Sequence, residues 1–247
     1  TVRGRLRQFD GLVRAAADLR GVHYFSRAGI NYYNQPHPPF KAKTKAGNVN
    51  AWLAAHGTEY EFFVQLDVDH APQPEYLDRV LGHFDDPRIG WVQAPSIDGN
   101  MGNWVARGAA EQELVLQGPL QQGFFGSSQT PFILGSHSTY RTEAVAEIGG
   151  FQPTRAEDHL DTIMLSSVGY EGVFVPEVIA VGDGPDTFEV YLRQQFAWAY
   201  SMVQVLFQHG GRLLPHCRPL AAFQFLFSET WYLLWSLSML LFFRVPI

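Results

Sequence analysis

The chain carries a single cysteine, Cys217, so an internal disulfide is impossible, and so low a count fits a reducing compartment. It has no basic excess: 18 Lys and Arg stand against 24 Asp and Glu, a formal net charge of -6, so a nucleic-acid footprint is not expected. The opening residues Thr1-Val2-Arg3-Gly4-Arg5-Leu6 lack the apolar core of a secretory signal. Internal repeats and low-complexity tracts are also missing. There is no initiating Met, and the last residues follow directly on an apolar run, so the chain reads as an internal fragment of a longer protein. What is present is apolar: 46% of the 247 residues are hydrophobic and 14% aromatic, enough to bury a core and to make disorder an unsuitable description.

Up to about residue 210, short apolar runs alternate with amphipathic stretches. Leu6, Phe9, Leu12, Val13 and Ala16 fall at helical spacing. Val22-His23-Tyr24-Phe25 has strand composition, a Pro-rich loop follows, and Val49, Trp52 and Leu53 predict the next helix. Phe62 to Leu66 is a short apolar run suited to a buried parallel strand, Pro74 to Phe84 reads as a helix, and Ile89 to Ala94 reads as a strand. Asn103 to Leu120 reads as helical; Phe132 to Leu134 and Val173 to Val175 read as further strands. This alternation predicts an α/β fold with a mostly parallel sheet and flanking helices. The run Leu220 to Phe243 is different. Its 24 residues hold one formal charge, Glu229, and could cross a bilayer core of roughly 30 Å at about 1.5 Å per residue. Alternatives are a helix lying at the membrane surface or a buried helix of a soluble domain. Arg212 and Arg218 precede it, and the positive-inside tendency puts that end in the cytoplasm. The expected division is a cytoplasmic domain over 1–210 and an interfacial and transmembrane segment over 211–247.

Four short pieces carry candidate chemistry. Asp67-Val68-Asp69-His70 ends the Phe62–Leu66 strand, where two carboxylates can hold a hard divalent cation, Mg²⁺ or Mn²⁺, beside a diphosphate. The same triplet also occurs in plain surface turns. His70 is either a further ligand, a group supporting the ligands, or a strand-end histidine with no metal role. Lys41-Ala42-Lys43-Thr44-Lys45-Ala46-Gly47-Asn48 either embraces a phosphate at a helix start or is a solvated charged loop. Glu157 and Asp158 either cap a helix or supply a general base. Trp198, in Gln194-Gln195-Phe196-Ala197-Trp198, either stacks on a sugar ring or packs in the core.

In this order and spacing the pieces resemble family 2 glycosyltransferases, above all the processive, membrane-embedded branch that includes cellulose synthase catalytic subunits, chitin synthases and hyaluronan synthases. Lys45-Ala46-Gly47-Asn48 is similar to that family's nucleotide-contacting Lys-Ala-Gly-Asn, and Asp67-Val68-Asp69-His70 to its Asp-x-Asp with the His of cellulose synthase-like members. Gly135 through Arg141 and Ile148 to Phe151 resemble the segment that lines the acceptor. Glu157-Asp158 resembles the end of Thr-Glu-Asp, and Gln194 to Trp198 resembles Gln-x-x-Arg-Trp. Two departures stand out: Ala156 replaces the Thr, and Ala197 replaces the Arg.

The resemblance implies a Rossmann-like glycosyltransferase A-type fold whose first nucleotide-binding strand lies before Thr1. It implies inverting transfer from a UDP-sugar to a growing polysaccharide, with Asp158 as base. Lys45, Asp67 and Asp69 are then on the donor, Asp67, Asp69 and His70 on the metal, and Glu157, Gln194 and Trp198 on the substrate, with Trp198 against the acceptor glycan. UDP-glucose is preferred over UDP-N-acetylglucosamine on account of His70. Expected partners are the donor, the polysaccharide, membrane lipid and accessory synthase subunits, with no nucleic acid. Two rivals remain: a metal-dependent hydrolase built on Asp67, Asp69, His70, Asp158 and His159, and a degenerate relative that only binds glycan.

Overall fold

The computed structural model describes residues 2–154 and 156–244, with side chains from residue 10 onward. The side chains of Leu6 and Phe9, and the tail at 245–247, lie outside that description. In chain order the first half comprises α1 (Val2–Leu19), α2 (Lys45–His56), β1 (Phe62–Leu66), β2 (Ala71–Pro72), α3 (Tyr76–Val80), β3 (Ile89–Gln93), β4 (Ser96–Asp98), α4 (Trp104–Val115) and α5 (Gln121–Ser128). The second half comprises β5 (His137–Arg141), α6 (Thr142–Glu147), α7 (Glu157–Ser167), β6 (Glu171–Phe174), β7 (Ala180–Gly182), α8 (Phe188–Val205), α9 (Gly211–Leu213) and α10 (Pro219–Phe242).

The main sheet has the order β1-β5-β3-β6. Only β3 and β6 run parallel; β5 is antiparallel to both of its neighbours. The sheet is therefore mixed, which corrects the mostly parallel expectation. The cause is β5, which inserts between β1 and β3 and reverses direction there. Its sequence, His-Ser-Thr-Tyr-Arg, looks too polar for a central strand, yet its first four residues are buried. Their polar groups are answered from neighbouring elements: Tyr76 Oη donates to His137 O at 2.9 Å and pairs with Thr139 Oγ1, and Ser138 Oγ donates to Gln93 Oε1. A second, smaller sheet has the order β2-β7-β4.

Two apolar clusters sandwich the main sheet. One gathers Phe63, Trp91, Ile133, Tyr140, Phe151 and Leu165, and the other Tyr76, Val80, Phe84, Ile89, Val92 and Val173. The alternation along β1 sends Phe63 to the first and Phe62 and Val64 to the second. Where β6 meets β3, Gly172 makes room for Trp91, because a Cβ there would overlap the indole.

Three further expectations are corrected. Residues 22–26 form no strand. Phe132 to Leu134 is buried or half-buried but is not a strand, because side chains take its amides in place of a ladder: Gln121 Oε1 accepts from Phe132 N (2.7 Å), Thr162 Oγ1 from Ile133 N (3.0 Å) and Gln93 Oε1 from Leu134 N (2.9 Å). The Pro74–Phe84 helix shrinks to α3 followed by a 3-10 turn over Leu81–Asp85, which still buries Tyr76, Val80 and Phe84 on one side.

The first half of α10 packs onto the domain. Ala221 and Phe225 join a third apolar cluster with Phe132, Leu160, Ile163 and Cys217. Gln224 Nε2 donates to Thr130 O at 2.8 Å, and Arg218 Nη1 pairs with Glu171 Oε1 at 2.7 Å. Beyond Glu229 most of the large apolar side chains of the helix are exposed, from Trp231 and Leu233 to Phe242. Among the described residues α10 is long and apolar enough to cross a membrane.

Candidate active site

The carboxyl ends of β1, β3 and β6 and the start of β5 share one edge of the sheet, because Leu66 pairs with His137 and β3 runs antiparallel to β5. Open α/β sheets bind ligands at such an edge. Asp67 leaves β1 there, its amide donating to Ser136 O at 3.0 Å, and Gly135 enters β5 beside it. Lys45 opens α2 and reaches the same point: its Nζ lies 2.6 Å from Asp67 Oδ1, 4.0 Å from Glu157 Oε1, and donates to Gly135 O at 2.6 Å.

The loop that delivers Lys45 is built to hold still. Arg27 is buried and donates to the carbonyls of Tyr33, Lys41 and Thr44. Thr44 caps α2, accepting from Gly47 N at 3.1 Å. Gly47 lies against the Lys41 backbone so closely that a Cβ would overlap it. Asn50 bonds both backbone groups of Phe151, at 2.8 and 2.9 Å, and so ties α2 to the turn before α7.

Asp158 stands in the first turn of α7 directly over Gly135, whose φ of +72° is left-handed. Its Oδ1 accepts from His159 N at 2.9 Å. The neighbouring Glu157 is pushed up to about 7, first by burial and then by the Asp158 charge, while Lys45 pulls the other way. Lys45, Asp67, Glu157 and Asp158 are thus brought together around Gly135.

Asp69 and His70 follow Asp67 in a tight turn, the His70 amide donating to Asp67 O at 3.0 Å, and among the described residues their side chains pair with each other rather than with that cluster. Asp69 Oδ1 is 3.1 Å from His70 Nδ1, and its carboxylate is half exposed. The His70 ring stacks on His137 at 5.5 Å between centroids, and Gly182 lies against it where a Cβ would collide. His137 is fully buried, with a ring nitrogen on Ala94 O, and burial lowers its pKa to about 4, so a neutral ring supports His70. Acidic groups that the sequence reading missed lie close by. Asp98 is raised by burial with Asp183 and Asp69 adding to it, and Glu113 is raised to about 7 by burial and then by Asp98. No local motif marks either residue; only the fold brings them near His70.

Among the described residues no group of three His, Cys, Asp or Glu side chains forms a ready-made metal cage. Asp67 is engaged with Lys45, and Asp69 with His70. The donor set still suits Mg²⁺ or Mn²⁺, which commonly take one or two protein carboxylates and complete their shell with substrate phosphates and water. An outward carboxylate oriented by a histidine fits that need. Gln194 and Trp198 lie on α8, both half-buried. No hydrogen bond or ion pair among the described residues joins them to the Asp67–Asp158 cluster; α8 instead meets α10 through Tyr232 Oη, which donates to Gln195 Oε1 at 3.2 Å.

Residues 62–247 match the family described as glycosyl transferase family group 2, and the chain belongs to that family. It is related to cellulose synthase catalytic subunits. A UDP-forming cellulose synthase catalytic subunit of Dictyostelium discoideum is 29% identical over 180 residues, covering 70% of this chain and 17% of that protein. Its counterpart in Pseudomonas fluorescens is 27% identical over 188 residues, covering 72% and 24%. The chain therefore spans about a quarter or less of these relatives. A mannosyltransferase from Pyrobaculum calidifontis, solved in complex with GDP-Man and Mn²⁺, superposes with a TM-score of 0.54 at 21% identity, covering 77% of this chain and 52% of that one. That likeness shows the fold, an α/β glycosyltransferase A-type architecture.

Proposed function

We propose that this chain is the catalytic domain of an inverting synthase that moves a sugar from a UDP-sugar to the end of a growing β-glucan-like polysaccharide at a membrane. The observation that carries the reading is the convergence of Lys45, Asp67, Glu157 and Asp158 on Gly135 at the carboxyl edge of the sheet. A cation there can face a diphosphate, while a carboxylate on a separate helix faces whatever approaches it.

In this reading Asp158 takes the proton of the acceptor hydroxyl as its oxygen bonds to the anomeric carbon and the bond from that carbon to the diphosphate oxygen breaks. Lys45 holds diphosphate oxygens at the α2 start. Asp69, oriented by His70 and aided by Asp67, would hold a divalent cation, Mg²⁺ or Mn²⁺, which would supply positive charge to offset that on the leaving UDP. Glu157, with its pKa raised to about 7, is only partly ionised near neutrality, so beside Asp158 it adds less than a second full charge. Trp198 and Gln194 orient the acceptor, with the Trp face against the apolar face of the sugar.

The domain extends to about residue 210, and the segment from 211 leads it to the inner face of the plasma or inner membrane. The outer half of α10 enters the lipid, with the domain on the cytoplasmic side. The relation to cellulose synthases supports glucose as the donor sugar, with N-acetylglucosamine as the alternative.

Membranes carrying the full-length protein, given a panel of UDP-sugars with Mg²⁺ or Mn²⁺, test this. Acceptor-dependent UDP release and a product cut by a β-glucanase are expected. Donor hydrolysis indifferent to acceptor would point to the hydrolase instead.

A further inference from the structure

The apolar run of α10 contains one charge, Glu229, and the fold buries it almost completely, at 1% exposure. Neither carboxylate oxygen has a hydrogen-bond partner among the described residues. The ionisable group it faces is His159, whose Nδ1 lies 3.4 Å from Oε1 and is itself buried without a hydrogen bond among the described residues. A buried carboxylate with no partner is strongly unfavourable, and a half-answered one persists only where the surroundings hold it. Apolar side chains would fill the same space more stably, so the pair calls for a reason beyond stability.

That reason lies in what His159 adjoins. Its ring stacks on Phe132 at 4.2 Å between centroids, and its backbone amide donates to Asp158 Oδ1 at 2.9 Å. Phe132 belongs to the segment that runs into Gly135, and Gly135 lies against Asp158. One turn further along α7, Thr162 accepts from Ile133 N and donates to Asp158 O at 2.8 Å. Any turn of His159 thus moves the residue beside it and the strand entry facing it.

We infer that Glu229 and His159 are a positioning pair, through which the membrane-directed helix α10 fixes the orientation of α7 and so of the Asp158 carboxylate. The inference rests on the proposed role of Asp158. The charged groups acting on His159 are Glu229 on α10 and Asp158 on its own helix; the Phe132 segment contributes only a ring. Burial works against the imidazolium, but the two carboxylates outweigh it and the His159 pKa is raised. Loading or tilting of α10 is transmitted to the base along this contact, which gives the synthase a route for coupling catalysis to its membrane segment.

The test is Glu229→Gln in the full-length protein in membranes. Gln keeps the volume but removes the charge. The inference expects kcat to fall about ten- to a hundred-fold, with UDP affinity unchanged, because displacing a reacting group by around 1 Å has effects of that size. A double variant, His159→Phe with Glu229→Leu, removes both buried charges and refills the space. It is expected to remain folded and to bind UDP while staying slow. Should Glu229→Gln fail to fold, the double variant decides alone. An unchanged kcat in Glu229→Gln, or wild-type kcat in the double variant, overturns the inference. If Asp158→Asn itself keeps full activity, the base assignment has failed instead, so the two failures are distinguishable.

Discussion

Gly135 and Asp158 face each other across the candidate site: a Cβ built on Gly135 would stand 3.3 Å from both Cβ and Oδ2 of Asp158. Gly135 also has a φ of +72° and offers its carbonyl to Lys45. Gly135→Ala therefore adds backbone strain of about 1–2 kcal/mol and pushes on the base at once. Sugar transfer is expected to fall about ten-fold or more, with a lower thermal midpoint. Steady-state kinetics beside a thermal melt measure both.

Lys45 is the cation of the site, yet its side chain is 37% exposed and Asp67 is 38% exposed. An exposed pair of this kind contributes roughly 0–1 kcal/mol to stability. Lys45→Met should leave the melting temperature nearly unchanged while weakening UDP binding about ten-fold, as expected for a lost charge-assisted hydrogen bond to phosphate. Calorimetric titration with UDP separates the two effects. Equal losses in both would assign Lys45 to folding.

Glu157 gives a dependence on pH. The folded chain keeps its proton up to about pH 7, whereas the unfolded chain releases it near 4.5. Its contribution to stability is therefore complete below about 4.5 and is lost as pH rises through 7, by on the order of 3 kcal/mol. Glu157→Gln should flatten the fall in melting temperature between pH 5 and 8. A slope identical to wild type would show that Glu157 titrates normally.

Gln93 is fully buried, accepts from Leu134 N and Ser138 Oγ, and donates to Ala94 O. Gln93→Leu leaves an amide and a hydroxyl unanswered and should cost about 1–3 kcal/mol, read as a lower unfolding midpoint.

Gln93 also shows why parts of the fold could not be read from sequence. The strand β1, the helix α2 and the two acidic motifs are legible because each is local: an apolar run, a capped start, a pair of carboxylates at an element end. The strand β5 is not, because its burial depends on Gln93 and Tyr76, 45 and 61 residues away. Phe132 to Leu134 misleads for the converse reason. It is apolar and extended enough to pass for a strand, yet its amides belong to the side chains of Gln121, Thr162 and Gln93. The mixed order of the sheet follows from where β5 inserts, which no periodicity encodes. In the site, Asp67 and Asp158 are visible as motifs, whereas Asp98, Glu113 and the Glu229–His159 contact exist only once distant segments meet.

The central claim is that Asp158 is the base of sugar transfer, and Asp158→Asn tests it most directly. In membranes holding the full-length protein, UDP release and polymer formation should drop about 10²–10⁴-fold, the usual contribution of a general base, while UDP affinity and the melting profile stay near wild type. Polymer formation at the wild-type rate would contradict the account.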